Sequence, residues 1–248
     1  MKKKAAASVN RVPTQTAGDL LSELKRWANP EKVDGAARFF KSAPGEYGHG
    51  DRFLGIAVPK QREIASRFRG LSLEEIESSL QSQWHEVRLT SLFVLVHQFN
   101  NATPLEQDAI LPFYLANTDR INNWDLVDSS APQILGTYLL SRPTKRGLLH
   151  RLAASENFWE QRIALVANIP LIKNNEFAEI LAICKSLLDH HHDLIHKSMG
   201  WMLRELGDRS TETLCSFLDK HVAKMPRTML RYAIEHLPPE KRKSYLAR

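Results

Sequence analysis

Four segments of this chain open a helix in the same way at nearly constant spacing. Trp84-His85-Glu86-Val87-Arg88, Ile121-Asn122-Asn123-Trp124-Asp125, Phe158-Trp159-Glu160-Gln161-Arg162 and Asp193-Leu194-Ile195-His196-Lys197 begin 37, 37 and 35 residues apart. In each, a polar turn precedes an apolar run on one helical face. A period of that length holds one helix–turn–helix unit, and a single unit cannot bury its own apolar face. The spacing therefore predicts antiparallel helix pairs stacked into a curved solenoid; a bundle of helices that merely share a length is the alternative.

The rest of the chain fits an all-α solenoid of the HEAT or armadillo type. The alternating Val, Ile, Thr and aromatic pattern of strands is missing. Short connectors such as Asn174-Asn175, Gly207-Asp208 and Ser72 ahead of Glu74-Glu75 carry helix stop and start residues. Long helices are expected over 122–140, 158–173 and 226–246. With 248 residues the chain suits one large or two small domains, and the continuous helical pattern favours a single domain over 19–248. Residues 1–18 hold four cationic and no acidic side chains, with Pro13 and few large apolar groups, and read as a flexible basic tail. One connector stands apart: Ala43-Pro44-Gly45-Glu46-Tyr47-Gly48-His49-Gly50-Asp51 has three glycines, so a structured turn or a mobile loop interrupts the helices there.

Composition removes several function classes. No apolar stretch is long enough to span a bilayer, and no hydrophobic signal core follows Met1-Lys2-Lys3-Lys4, so a soluble, cytoplasmic protein is expected. Cys184 and Cys215, with no CxxC, disfavour a disulfide scaffold or a cysteine zinc site. Three adjacent imidazoles, His190-His191-His192, point about 100° apart on a helix and fit an interhelix turn better than a shared metal ion. No Walker sequence, GxGxxG or GxSxG occurs, and neither a cofactor nor a metal is expected. The formal charge is +6, and residues 196–248 carry 11 basic against 6 acidic groups. Lys197, Arg204, Arg227 and Arg231 fall in that region near Trp201 and Tyr232. They suit phosphate binding or solvated helix faces equally well.

Chemistry concentrates where the repeats begin. In Asn123-Trp124-Asp125-Leu126-Val127-Asp128, Trp124 and Asp128 are i, i+4 neighbours, so an indole and a carboxylate leave one side of a helix. Pro132 cannot donate to the Asp128 carbonyl and should bend the helix there. Asp125, about 300° around the helix from Asp128, is placed to cap or pair elsewhere. Arg162 lies 38 residues beyond Trp124, and Trp201 a further 39. If the repeats stack in register, an aromatic, a carboxylate, a guanidinium and a second aromatic line one groove. The alternatives are a core position for Trp124, a buried ion pair for Asp128, a bridge from Arg162 to Glu160, Asp125 or Asp128, and interhelix packing for Trp201 beside Gly200.

These residues resemble those of the AlkD-like DNA alkylation repair proteins, which are HEAT-like helical DNA glycosylases. The resemblance covers about residues 20–246. It rests on Gly45–Ile56 with Pro59, on Asn123–Asp128, on Trp159-Glu160-Gln161-Arg162 and on Gly200-Trp201-Met202-Leu203-Arg204-Glu205. It implies that Trp124, Asp128, Arg162 and Trp201 line an active cleft, and that Phe39 stands where some relatives carry a tyrosine. It further implies hydrolysis of N3- or N7-alkylated purines from duplex DNA, without a metal, by a monomer acting in an open cleft. Asp128 would then stabilise the oxocarbenium ion and position water, while Arg162, Lys197, Arg204, Arg227 and Arg231 bind the DNA backbone. A catalytically weak binder of distorted DNA, or a protein-docking scaffold, is the alternative.

Overall fold

A computed structural model describes residues 15–248, and all of its regular structure is helical. Residues 1–14 of the expected basic tail lie outside the described residues. At residues 15–18 the expectation fails, because this stretch belongs to the folded domain. Thr16 caps the first helix in a reciprocal box with Asp19, Gln15 donates to the Arg67 carbonyl at 2.7 Å, and the Ala17 N–H donates to Glu75 at 2.7 Å. A Thr-x-x-Asp cap satisfies the orphan donors of a first turn, so the helix begins at Ala17.

The helices are α1 (Ala17–Lys25), α2 (Pro30–Phe39), α3 (Val58–Arg67), α4 (Leu73–Leu80), α5 (His85–Asn101), α6 (Pro104–Ala116), α7 (Trp124–Ser130) and α8 (Thr137–Leu140). They continue with α9 (Gly147–Ala153), α10 (Phe158–Val166), α11 (Ile169–Lys173), α12 (Ala178–Ser186), α13 (Asp193–Arg209), α14 (Thr211–His221), α15 (Arg227–Ala233) and α16 (Pro239–Leu246). The recurring segments open α5, α7, α10 and α13, and each of these helices packs on the next, with α15 extending the row. The sequence period is thus the step between successive helices of one stacked row. The others flank it: α1, α3 and α4 lie against α5, α9 against α10 and α12, and α14 against α13.

Two departures from the sequence pattern have clear causes. The first turns of α5 are buried on every side, from His85 to Leu95, so this helix has no single apolar face. Each expected long helix breaks at a proline. Pro170 sits in the first turn of α11, Pro239 opens α16, and Pro132 ends the regular ladder after α7. Residues 132–136 form a π-turn instead, in which the Gly136 N–H reaches the Ala131 carbonyl at 2.9 Å. The bend expected beyond Asp128 therefore takes the form of a wider turn.

Close helix approach requires glycine at two places. A Cβ at Gly136 would lie 2.3 Å from the Ala167 carbonyl oxygen, and one at Gly200 would lie 2.6 Å from that of Met229. The second contact seats α15 against α13 directly beside Trp201. Among the described residues no helix is long and apolar enough to cross a membrane.

Candidate active site: an ion-paired aspartate on the stacked row

Asn123 begins the site. Its side chain accepts the Trp124 N–H at 2.8 Å, which starts α7 so that Trp124 and Asp128 leave the same side. On the neighbouring helix α10, Arg162 meets Asp128 with a two-pronged fork, Nε to Oδ1 at 3.0 Å and Nη2 to Oδ2 at 2.8 Å. Its remaining Nη1 donates to the Leu194 carbonyl at the start of α13, at 2.8 Å. The guanidinium, expected to hold a phosphate, is thus committed to three protein acceptors and is only 5% exposed. Asp128 keeps an open side, with 20% of its side chain exposed. Burial pushes the Asp128 carboxyl above the usual aspartate range, while Arg162 pulls it down and the nearby Asp125 charge adds to the rise.

Asp125 faces the other way, as its angular offset demands. Its Oδ2 meets His85 Nε2 of α5 at 2.8 Å, and His85 Nδ1 meets Asp51 at 3.0 Å. Arg88 completes the relay, donating to Asp51 at 2.7 Å. His85 is almost wholly buried, with its ring 4.5 Å from Phe40 and 5.2 Å from Phe53. Burial alone would push the imidazole's pKa down. The Asp125 charge and the hydrogen bonds the ring donates to both carboxylates overcome that and raise it to about 9. The cation offsets the Asp125 charge, and the carboxylate that α7 presents outward is Asp128, paired with Arg162 on one side and open on the other.

The aromatic surroundings of Trp124 come from three directions. Phe40 stacks on it at 5.5 Å, and Phe39, 63% exposed, meets it edge-on at 5.4 Å. From the Gly-rich connector, Tyr47 brings its hydroxyl beside the Trp124 indole, and the charges of Lys197 and Arg162 both act on it. Sequence reasoning quoted Tyr47 within a motif but gave it no role. Its signal was its place between Gly45 and Gly48 in a loop too glycine-rich to be helical.

Trp124, Arg162 and Lys197 therefore lie near Tyr47, and Asp128 joins them through the Arg162 fork. Trp201 sits one turn beyond Lys197 on the same face of α13, half-buried, with its indole N–H donated to Glu205 at 2.9 Å. No hydrogen bond joins it to Asp128 among the described residues. The remaining basic candidates differ in how engaged they are. Arg204 pairs with Glu235 and approaches Glu205 at 3.8 Å, Arg227 donates to the Leu246 carbonyl at 3.0 Å, and Lys197 pairs with Asp193 at 2.8 Å. Arg231 is exposed and has no ion pair among the described residues.

Two of the three histidines serve the backbone. His190 Nδ1 accepts the His192 N–H at 3.0 Å, and His192 Nδ1 accepts the Leu194 N–H at 3.2 Å as the N-cap of α13. Among the described residues no group of His, Cys, Asp or Glu is arranged to hold a metal ion.

A row of stacked helices that presents an aspartate, a forked arginine and a tryptophan defines an all-helical protein with a charged, aromatic site. The chain belongs to the DNA alkylation repair enzyme family, whose model matches residues 20–237. That membership places it among enzymes of DNA repair. Among solved structures, a predicted DNA alkylation repair enzyme from Enterococcus faecalis superposes with a TM-score of 0.71 at 18% identity. The match covers 86% of this chain and 97% of that one, and it shows a shared fold. No curated protein matches the chain significantly.

Proposed function

We propose that this protein is a DNA glycosylase that hydrolyses the N-glycosidic bond of cationic N3- or N7-alkylated purines in duplex DNA. One observation carries the reading: Asp128 is held by the Arg162 fork with one side open, beside an indole. A purine alkylated at N3 or N7 already bears the positive charge that a general acid would otherwise supply. The C1′–N9 bond breaks with its electron pair going to the base, which leaves neutral. Positive charge then develops on the deoxyribosyl ring, and water adds at C1′ and loses a proton to solvent. The protein must therefore supply a fixed negative charge and a positioned water.

Asp128 suits both tasks. Arg162 favours its ionised form and fixes its plane, so this arginine acts through the carboxylate rather than on a phosphate. Trp124 and Trp201 offer faces for a cationic nucleotide, at about 0.5–2 kcal/mol for each cation–π contact. The deciding experiment is single-turnover release of 7-methylguanine and 3-methyladenine from duplex DNA. Release by the wild-type protein is the expected result. Binding without release would favour the alternative, a non-catalytic binder of distorted DNA.

Backbone binding is assigned to cations that the protein itself leaves available. Arg231→Gln should weaken duplex affinity and flatten its salt dependence by about one unit, as expected for one lost phosphate contact. Arg204→Gln should change the slope little, because Glu235 and Glu205 already hold that guanidinium. Binding isotherms over a range of salt concentrations separate the two, and equal slopes in all three proteins would assign both arginines to solvated helix faces.

A further inference from the structure

The Gly-rich connector is a built part of the cleft. Gly45 and Gly50 adopt positive φ angles of 84° and 94°, which favour glycine. Between them, the Gly48 N–H donates to the Lys41 carbonyl at 2.9 Å, and a Cβ at Gly48 would lie 2.5 Å from the Phe40 carbonyl oxygen. The far end is pinned to α5: the Arg52 N–H donates to the Gln83 carbonyl at 3.0 Å, and the His85 N–H to the Arg52 carbonyl at 2.8 Å. Asp51 is gripped by His85 and Arg88. A segment fixed at both ends and in its middle places Tyr47 as firmly as a helix would.

The ring of Tyr47 spans the row. It stands edge-on to Trp159 of α10 at 5.7 Å and 6.3 Å from His192, the cap of α13, while its hydroxyl reaches Trp124 of α7. Among the described residues the Tyr47 hydroxyl donates to no protein acceptor, so its proton is left to give. The charges of Lys197 and Arg162 reach this hydroxyl and that of Glu46 opposes them; Arg162 is committed to Asp128, and Lys197, 41% exposed beside Asp193, is the cation a phosphate there can share.

We propose that Tyr47 is a further substrate-binding residue, donating its hydroxyl proton to a phosphate oxygen flanking the nucleotide that Asp128 faces. This rests on the reading of Asp128 as the residue opposite C1′. Burial raises the Tyr47 hydroxyl above an ordinary phenol, so it stays a donor throughout the neutral range. The ring packs against α10 and the cap of α13, and the hydroxyl adds the contact.

Tyr47→Phe keeps the ring and deletes the donor. The probe is a duplex carrying one tetrahydrofuran abasic analogue, which retains the backbone phosphates and has no base to release. Tyr47→Phe should bind it about tenfold more weakly than wild type, as expected for one lost hydrogen bond to a charged acceptor, with an unchanged melting temperature. His49→Ala, an exposed neighbour in the same loop, should bind as wild type does. Unchanged affinity in Tyr47→Phe, or a loss matched by a fall in melting temperature, would overturn the proposal in favour of packing alone. Wild-type protein that binds this duplex yet releases no alkylpurine would end the glycosylase reading, while the affinity of Tyr47→Phe still decides the tyrosine. Absence of binding by the wild type would overturn both.

Discussion

Asp128→Asn is expected to slow single-turnover release of 7-methylguanine by about 10²- to 10³-fold, the usual effect of removing one charge-stabilising group. The substitution preserves shape and deletes the charge that faces the oxocarbenium-like transition state, so its effect falls on the reacting state more than on bound substrate. Affinity for undamaged duplex should hold. Affinity for the cationic lesion should fall modestly, since Asp128 also attracts it before reaction. Read from the sequence alone, this variant would fold as well as the wild type. The ion pair says otherwise, because the Arg162 guanidinium is buried and loses its ionic partner, and an amide nitrogen replaces one of its two acceptors. A stability loss of about 2–3 kcal/mol is expected, at the lower end for a broken buried pair because one side of Asp128 is open to water. Denaturant titration gives that figure, and the kinetic comparison belongs at a temperature where both proteins are folded. Wild-type release should also decline on the acid side, with a midpoint above that of an ordinary aspartate, because burial raises the Asp128 carboxyl. Equal release rates in the two proteins would remove Asp128 from the mechanism.

The second large effect is pH-dependent stability from His85. Its pKa in the folded protein is about 9, against about 6.5 in an unfolded chain. A raised folded pKa stabilises fully below the unfolded value and is lost as the pH climbs through the folded one. His85 should therefore contribute about 3 kcal/mol at pH 6, fading between roughly pH 6.5 and 9. The groups facing the imidazolium are Asp125 and Asp51, with Arg88 opposing it from its own helix. His85→Gln should be less stable than wild type near neutral pH, and the two proteins should converge in alkali. Subtracting their denaturation free energies at each pH cancels the lysines and tyrosines that titrate in the same range. Parallel curves would show a neutral His85. The variant also frees the Asp125 charge beside Asp128, so its release profile should shift to higher pH.

These effects separate what residue spacing contains from what packing adds. The 37-residue recurrence, the caps and the missing strand pattern determined an all-α stack, because helix periodicity and one-sided burial are local properties of a chain. The same spacing placed Trp124 with Asp128 on one side of α7 and turned Asp125 away, since a helix fixes those angles wherever it sits. Gly200, read beside Trp201 as a place for interhelix packing, is where the Met229 carbonyl comes close.

Partners across helices were decided only by the fold. Arg162 had three candidate carboxylates and a phosphate in the sequence; the register of α10 against α7 selected Asp128. His85 lies 40 residues from Asp125 and 34 from Asp51, and nothing local marks it as a shared cation. Tyr47 sat in a loop whose path is set by contacts with Asn123 and Gln83, both distant in sequence. Each of these choices depends on where one helix settles against the next to within about one turn. That offset is fixed by side chains interlocking across the whole interface, a collective property that no single segment carries.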